Sequence, residues 1–277
     1  MTPDEYCQQK AAASGSSFYY SFLFLPAERR RAITALYAFC REVDDVVDET
    51  GEAQIAAAKL AWWRSEVANL FAGNPQHPVT KALSPHLEAR SITREKLNDI
   101  IDGMEMDLTQ TRYLDWAGLE RYCYRVASVV GLLAAGIFGY RDARTLDYAR
   151  DLGIAFQLTN IIRDVGEDAR KNRIYLPMAD LKQFGVPAAD LLQSRETPEF
   201  GRLMAFEAAR ARAHYEKAMR ALPAADRKAQ RPGLIMAAIY RTLLDEIERD
   251  GFHVLTQRTS LTPLRKFWIA WRTWITA

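Results

Sequence analysis

Two groups of acidic side chains occupy stretches that otherwise read as apolar helix. The first lies in the stretch CREVDDVVDET (residues 40–50), which holds Asp44, Asp45 and Asp48. Like charges at this spacing each cost about a few tenths of a kcal/mol in water, and they cost more where they are partly buried. Because nothing within the stretch neutralises more than one of the three carboxylates, we expect a bound ligand to do so.

Helical spacing places the members of each group on one helix face. In the first group Tyr37, Arg41, Asp44 and Asp48 follow one another at intervals of four, three and four residues. In the second group, within FQLTNIIRDVGEDARKNR, the intervals are three, four and four, for Gln157, Asn160, Asp164 and Asp168. Residues three or four apart share a face, so each group should line the wall of an interior cavity.

Divalent cations would neutralise two facing acidic walls. Mg²⁺ prefers carboxylate oxygens, keeps several waters and commonly bridges to phosphate oxygens. The carboxylates would then hold several Mg²⁺ ions, and those ions would hold a diphosphate. The alternative is that each group is only a solvated helix face. Two such groups, each continuing an apolar helix and each with an arginine on or beside it, favour the metal site.

The elements that carry these groups are predicted to be helices in one all-α domain, residues 1–277. The segment PAERRRAITALYAFCREVDDVVDE starts with a proline suited to a first helical turn, and Gly51 should end it. Its apolar stripe is Ile33, Leu36, Cys40, Val43 and Val47. Further helices are expected at about 53–72, 93–109, 116–139, 142–167, 196–221 and 231–250, with breaks at 73–78, 170–177 and 222–233.

The composition excludes several classes of protein. A hydrophobic fraction of 49% and a charged fraction of 26% permit a large core, and a net charge of +2 argues against a nucleic-acid partner. The three cysteines have no metal-type spacing, so we expect reduced thiols in a cytoplasmic protein. The longest uncharged apolar run, Val126 to Tyr140, is shorter than the ~20 residues that span a bilayer, so we expect a buried helix there.

The motifs resemble those of one family. DDVVD and NIIRDVGED, with SGSSFYYSFLFLP, YAFCREVDD, YCYRVA and RIYLP, resemble the squalene/phytoene synthases, in that family's order from about Ser14 to Tyr240. The segment SGSSFYYSFLFLPAERRRAITALYAFCREVDDVVDE is most similar to bacterial presqualene diphosphate synthases of the squalene and hopanoid route. Two departures are Ser16, where many relatives carry Lys or Arg, and Ser128, which replaces a usual glycine.

The resemblance implies an isoprenoid-synthase helical bundle with a central cavity, which joins two prenyl diphosphates head to head. We expect two molecules of farnesyl diphosphate as substrate, about two or three Mg²⁺ ions and no nicotinamide cofactor. The implied metal ligands are Asp44, Asp48, Asn160, Asp164 and Asp168, to which we add Asp45. The implied diphosphate contacts are Arg41, Arg163 and Arg173. The residues implied at the reacting centre are Ser17, Tyr37, Tyr122, Gln157 and Tyr240.

Catalysis would rest on the four outer aspartates, Asp44, Asp48, Asp164 and Asp168, and on Tyr37 and Tyr122 as proton relays to the released diphosphate. Aromatic faces that could meet an allylic cation are Phe18, Tyr19, Tyr20, Phe22 and Tyr37, and plain core packing is the alternative for most of them. The small residues Gly131, Ala135 and Gly139 would either open a channel for prenyl tails or permit close helix packing.

The C-terminal segment, about 261–277, mixes basic residues with tryptophans. Its sequence LTPLRKFWIAWRTWITA is typical of an interfacial amphipathic helix, which would bring the protein to the inner face of the membrane. The alternative is that the tryptophans pack on the bundle.

Other functions remain open. A phytoene, dehydrosqualene or squalene synthase would share the motifs, and a catalytically dead assembly factor would have lost the aspartates. A chain-elongating prenyltransferase would need a basic motif such as GGKxxR near the start, and none is seen there. A class I terpene cyclase would space its motifs differently, and the context YAFCREVDD argues against it.

Overall fold

The protein folds as a bundle of α-helices. A computed structural model describes residues 1–13, 18–22, 24–49 and 52–277, and of Tyr19, Tyr20 and Glu49 it describes the backbone alone. The helices are α1 (Pro3–Ala13), α2 (Phe18–Phe22), α3 (Ala27–Glu49), α4 (Ala53–Phe71), α5 (Pro78–Leu83), α6 (Arg94–Thr109), α7 (Trp116–Cys123), α8 (Val129–Phe138), α9 (Arg144–Arg170), α10 (Met178–Phe184), α11 (Ala188–Leu192), α12 (Pro198–Ala221), α13 (Arg231–Arg249) and α14 (Pro263–Thr276). No strand forms within these residues, which confirms the all-α class.

The long periodic segments fold where the sequence predicted them. Helix α3 begins at Ala27, directly after Pro26, whose carbonyl oxygen accepts a hydrogen bond from the Arg30 amide at 2.9 Å. Its predicted apolar stripe is buried apart from Cys40, which is half-buried. Helix α9 runs to Arg170 and so contains the whole second acidic group. The predicted end at Gly51 lies outside the described residues.

The predicted helix at 116–139 is interrupted. Helices α7 and α8 are joined by a π turn, Tyr124–Ser128. Opposite this turn is Gly153 of α9, and a Cβ atom there would lie 2.5 Å from the Ser128 Cα atom. Only a residue without a side chain lets the two backbones come this close, so Gly153 allows α9 to pack against the turn. The Ser128 hydroxyl donates to the Arg150 carbonyl oxygen at 2.7 Å.

Two clusters of buried side chains form the core, and α8 lies between them. One cluster gathers mainly α9, α12 and α13, and the other gathers α3, α4, α5 and α6. Val129, Leu133 and Ile137 of α8 belong to the second cluster, whereas Ala135 belongs to the first. The continuous run Trp116–Phe138 is long and apolar enough to cross a membrane by composition alone. Its apolar second half, α8, lies between the two clusters as a core helix would.

Helix α14 was predicted at the C-terminus, whereas α1, α2, α5, α10 and α11 were not predicted. α1 lies against α3 and α5, and α14 lies against α13 and α2. The short helices α10 and α11 follow α9 and pack on α12 and α9 respectively. All five missed helices are either short or, in the case of α1, lack a regular apolar stripe.

Candidate active site

The two acidic groups line a single cavity of about 390 Å³, here called the acidic cavity. Asp44 and Asp48 come from α3, and Asp164 and Asp168 come from α9. The wall from α3 reaches the chain just beyond α9, because an Asp48 carboxylate oxygen lies 3.4 Å from Lys171 Nζ and 3.5 Å from an Arg173 guanidinium nitrogen. The two groups therefore face each other across a shared hollow.

Arginines neutralise the carboxylates. Arg41 donates to both Asp44 and Asp45, at 2.6 Å each. Arg163 donates to Asp164 through Nε at 2.7 Å, and Arg258 donates to the same carboxylate at 2.8 Å. Charge-assisted pairs of this kind hold like-charged walls together without a metal ion. The sequence did not single out Arg258.

A close approach of backbones places Arg258 at the cavity. The loop that follows α13 crosses α9 at Gly166, whose amide donates to the Val254 carbonyl oxygen at 3.2 Å. A Cβ atom at position 166 would collide with the Val254 and Leu255 carbonyl oxygens. The glycine thus lets the loop lie directly on α9 and carry Arg258 to Asp164.

Asp107 of α6 also lines the acidic cavity, and the sequence analysis missed it. Its carboxylate is buried and accepts hydrogen bonds from the Tyr122 hydroxyl at 2.9 Å and the Tyr175 hydroxyl at 2.7 Å. A signal was available, since Asp107 continues the buried stripe that contains Ile100 and Met104. An acidic residue on an apolar stripe is the same signal that singled out Asp44.

Burial and neighbouring charges shift the pKa values of the carboxyls in opposite directions. Burial, with Asp48 and Asp45 nearby, raises the pKa of Asp44 to about 6, although Arg41 opposes the shift. Burial and the nearby Asp164 and Asp107 carboxylates raise the pKa of Asp168 to about 7. Burial also acts to raise the pKa of Asp164, but the hydrogen bonds and charges of Arg163 and Arg258 outweigh it and lower that pKa.

A second cavity, of about 150 Å³, is lined mainly by apolar side chains from α2, α3, α8, α9 and α13 and is here called the apolar cavity. The Tyr37 ring lies 5.5 Å from the Phe18 ring, and the Tyr240 ring lies 4.9 Å from the Phe156 ring, between centroids. Both pairs line this cavity. The two cavities have three lining residues in common, Val126, Gln157 and Asn160. A ligand with a charged head and an apolar tail would fit this arrangement.

The structure brings together most of the residues that the sequence predicted. In the acidic cavity lie Arg41, Asp44, Asp48, Tyr122, Gln157, Asn160, Arg163, Asp164, Asp168 and Arg173. In the apolar cavity lie Phe18, Phe22, Tyr37, Tyr240 and the small residues Gly131 and Ala135.

Three sets of predicted residues are not placed in this way. Asp45 lines neither cavity, because it is turned toward α1, where it pairs with Lys10 at 2.8 Å as well as with Arg41. Ser17 and Ser16 lie outside the described residues, as do the side chains of Tyr19 and Tyr20. Gly139 ends α8 and lines neither cavity.

The donor set fits hard cations. The Asn160 carbonyl oxygen, Oδ1, is buried and has no hydrogen-bond partner, so it has a vacant acceptor at the junction of the cavities. Among the described residues no three of His, Cys, Asp and Glu converge on one point. Magnesium commonly takes one or two carboxylates and completes its shell with water and phosphate oxygens. The cavity offers ligands of this kind on both walls: Asp44 and Asp48 on one, and Asn160, Asp164 and Asp168 on the other.

Comparisons with known proteins agree with this geometry. Residues 11–265 match the family model for squalene/phytoene synthase. The chain is 36% identical to the 15-cis-phytoene synthase of Synechocystis sp., over 96% of this chain and 84% of that protein. It is also 36% identical to the phytoene synthase of Arthrospira platensis, over 95% of this chain and 89% of that protein.

Solved structures of similar fold include a dehydrosqualene synthase in complex with a ligand, with a TM-score of 0.87 and 29% identity over 98% of this chain and 95% of that one. The squalene synthase HpnC from Alicyclobacillus acidocaldarius gives a TM-score of 0.81 and 30% identity over 90% of this chain and 94% of that one. These likenesses confirm the predicted isoprenoid-synthase fold. The chain belongs to the squalene/phytoene synthase family.

Proposed function

We propose that the chain joins two molecules of farnesyl diphosphate head to head, releases diphosphate and forms presqualene diphosphate for squalene and hopanoid synthesis. The observation that carries the proposal is the junction at Gln157 and Asn160, where a charged cavity meets an apolar one. A prenyl diphosphate has the matching shape, with its head among charges and its tail among apolar side chains. The intact aspartates argue against a catalytically dead assembly factor.

Charge balance supports Mg²⁺ as the cofactor. Six acidic and five basic side chains line the acidic cavity, so its formal charge is −1. A diphosphate group would add about three further negative charges, and an uncompensated charge in a partly buried site is costly. About two or three Mg²⁺ ions would offset this charge, and when bound they would polarise the departing diphosphate as Lewis acids. Asp44, Asp48, Asn160, Asp164 and Asp168 are the residues that would hold them.

The arginines would stabilise the leaving group. When the bond between carbon and oxygen breaks, its electron pair departs with diphosphate, and negative charge develops on the phosphate oxygens. Arg41, Arg163 and Arg173 line the cavity where that charge develops, and Arg258 joins them. Preorganised positive groups of this kind lower the barrier because they need no reorganisation during the reaction.

The aromatic side chains of the apolar cavity would shelter the allylic cation. Phe18, Tyr37, Phe156 and Tyr240 line this cavity, and water would otherwise capture the cation. The second farnesyl diphosphate attacks through its 2,3-double bond, and loss of a proton closes a cyclopropane ring. No histidine is among the described residues that line either cavity, so the released diphosphate is the proposed base.

Tyr122 would act through Asp107 rather than as a free base. Its hydroxyl already donates to Asp107, and burial raises the pKa of Tyr122 well above its ordinary value. It therefore stays protonated and can relay a proton along the hydrogen bond. Tyr37, whose ring lines the apolar cavity, is the second candidate relay.

Synthesis of phytoene from the C20 substrate geranylgeranyl diphosphate is the second candidate function. The 36% identity to phytoene synthases favours this function. The sequence of the N-terminal motif segment instead favours presqualene diphosphate as the product. Dehydrosqualene or squalene would result if the same site carried the C15 reaction further. We propose a cytoplasmic location with peripheral contact to the inner face of the membrane. Each of these products carries long hydrophobic prenyl chains, which a bilayer would receive.

Product analysis decides among these functions. Purified protein is incubated with Mg²⁺ and either farnesyl or geranylgeranyl diphosphate, with and without NADPH, and the products are identified by mass spectrometry. We expect presqualene diphosphate from the C15 substrate and no effect of NADPH. Asp44→Ala and Asp164→Ala should abolish diphosphate release, whereas Asp147→Ala, an exposed position on the same helix as Asp164, should not. If only the C20 substrate reacts and the product is phytoene, the second candidate function is established. If neither the wild type nor any variant releases diphosphate, the protein is a non-catalytic scaffold.

A further inference from the structure

The outer face of α14 carries an apolar stripe that is exposed in the part of the chain that the structure describes. Its members are Leu264, Phe267, Trp268, Trp271 and Ile275, and their exposed fractions lie between 47% and 83%. The spacing of three, one, three and four residues puts all five on one side of the helix. A single exposed apolar side chain is ordinary, but a continuous stripe that includes two tryptophans marks a contact surface.

The opposite face of α14 already packs on the bundle. Ala270 is fully buried, and the Trp274 ring stacks on Phe24 with 5.2 Å between centroids. The Arg231 guanidinium covers the Trp274 ring at 5.0 Å. Core packing therefore accounts for one of the three C-terminal tryptophans, and it leaves Trp268 and Trp271 unexplained.

The charge around the stripe is positive. No acidic residue follows Asp250 in the sequence, whereas Arg258, Arg265, Lys266 and Arg272 do. Arg265 and Arg272 lie on the flank of the stripe next to Trp268, and the Arg272 guanidinium sits 5.5 Å from the centre of that ring. Glu246 of α13 pairs with Arg265 at 2.6 Å and so offsets part of this charge.

We infer that the Leu264–Ile275 stripe docks on an anionic lipid bilayer, with α14 lying in the plane of the interface. Tryptophan rings prefer the boundary between headgroups and acyl chains, and arginines beside them reach the lipid phosphates. A second copy of this chain or a protein partner would bury the tryptophans equally well. Neither would call for a flank of arginines without acidic residues on the same helix.

The position of α14 links this docking to the site, and this one point rests on the proposed function. Helix α14 packs against α2 and α13, and both of these helices line the apolar cavity. Phe18 and Phe22 of α2, and Met236 and Tyr240 of α13, form that part of the wall. Docking therefore puts the tail cavity one helix layer away from the bilayer that would receive an oily product.

Flotation of the full-length chain with vesicles tests the docking without substrate. We compare phosphatidylcholine vesicles with vesicles that also contain about 30% phosphatidylglycerol, at low and high salt. We expect binding to the anionic vesicles that weakens as salt rises. The variant Trp268→Ser with Trp271→Ser should bind at least about tenfold more weakly. Its matched control is Trp62→Ser on α4, because Trp62 and Trp271 are each 48% exposed, and it should bind as the wild type does.

A charge variant provides an independent arm. Arg265→Gln with Arg272→Gln should remove most of the preference for anionic vesicles, whereas Arg202→Gln with Arg220→Gln, two exposed positions on α12, should leave it unchanged. Sedimentation equilibrium without lipid measures whether the chain forms a dimer, which tests whether a second copy covers the stripe instead of a bilayer. Vesicle binding that does not depend on Trp268 and Trp271 would overturn the inference. The inference would also be overturned if the wild type formed a dimer and bound no vesicles, and if the tryptophan variant were a monomer.

The outcome is separable from that of the proposed function. Diphosphate release in detergent solution should be the same for the wild type and the tryptophan variant, because neither tryptophan lines a cavity. A protein that binds vesicles and releases no diphosphate would keep the docking and lose the proposed function. A protein that releases diphosphate but does not bind vesicles would keep the proposed function and lose the docking.

Discussion

Replacing Asp107 by Asn should stabilise the fold and impair the site. Burial raises the pKa of the Asp107 carboxyl from 3.8 to about 6, although both tyrosine hydrogen bonds and Arg173 act to lower it. At about 1.4 kcal/mol per tenfold change in proton affinity, holding that carboxylate ionised at pH 8 costs the folded chain up to about 3 kcal/mol. The neutral amide keeps an acceptor oxygen for one of the two tyrosine hydroxyls and carries no charge to desolvate.

The sign of the pH dependence follows from the raised pKa. Below pH 3.8 the Asp107 carboxyl is protonated in both the folded and the unfolded chain, so it has no effect on stability. Between pH 3.8 and about 6 the unfolded chain loses its proton first, so the contribution of Asp107 to stability falls as pH rises. Above that range the penalty is constant. Asp107→Asn should therefore flatten this part of the profile and raise the free energy of unfolding most at pH 8.

Urea unfolding in EDTA, from pH 4 to pH 8, measures this effect on the metal-free chain. Glu105→Gln is the control, because Glu105 lies on the same helix in a half-exposed pair with Arg64 and should change stability by less than about 1 kcal/mol. Diphosphate release by Asp107→Asn should fall at least about tenfold, since Tyr122 and Tyr175 lose their shared carboxylate. Parallel pH profiles for the wild type and Asp107→Asn would refute the reasoning, and so would a clear loss of stability at pH 8.

Three further predictions concern other parts of the molecule. Asn160→Leu removes the vacant acceptor, so the thermal stabilisation that Mg²⁺ and inorganic diphosphate give the wild type should shrink or vanish in a melting experiment. Gly153→Ala forces a Cβ atom into contact with the Ser128 backbone and should destabilise the chain by about 1–3 kcal/mol or more in urea, whereas Gly201→Ala, where the space is open, should not. Arg210→Met leaves the Glu207 carboxylate buried without its 2.6 Å partner and should cost about 3–5 kcal/mol at pH 8. Burial raises the pKa of Glu207 to about 7, so this last loss should shrink when unfolding is measured near pH 5.

The sequence was sufficient to predict the helices that carry the two acidic groups. In α3 and α9 the apolar period agrees with the polar residues at intervals of three and four, and α3 also has a proline directly before its first turn. Agreement between local pattern and global fold makes such segments predictable. The same spacing predicted which side chains would share a cavity, because both stretches are continuous α-helix over those positions.

The missed features depend on contacts between distant parts of the chain. The π turn between α7 and α8 has no glycine or proline of its own, and it lies where Gly153 brings α9 against it. Asp107 and Arg258 lie far in sequence from both acidic groups, and α6 and the loop after α13 carry them to the site. Asp45 was predicted as a metal ligand together with Asp44, its neighbour in the sequence. One helical residue is a rotation of about 100°, and this turns Asp45 toward α1, which was not predicted.

The pairing of arginines with aspartates changes the interpretation of the acidic groups. The sequence suggested that carboxylates so close together require metal, yet Arg41 pairs with Asp44, Arg163 with Asp164 and Arg173 with Asp48 without one. The predicted diphosphate contacts are thus the present partners of the predicted metal ligands. If Mg²⁺ and a diphosphate entered together, each carboxylate could exchange its arginine for a metal ion, and each arginine could exchange its carboxylate for a phosphate oxygen.

Such an exchange keeps the charges of these three arginine–aspartate pairs compensated at the start and at the end, which lowers the desolvation cost of binding. It also explains why each ligand should bind weakly alone. A diphosphate by itself would meet arginines that are already engaged, and Mg²⁺ by itself would meet carboxylates that are already neutralised. Titration calorimetry should therefore show that Mg²⁺ strengthens the binding of inorganic diphosphate by at least about tenfold and that diphosphate strengthens the binding of Mg²⁺ by the same factor. Binding of either ligand that ignores the other would contradict the exchange.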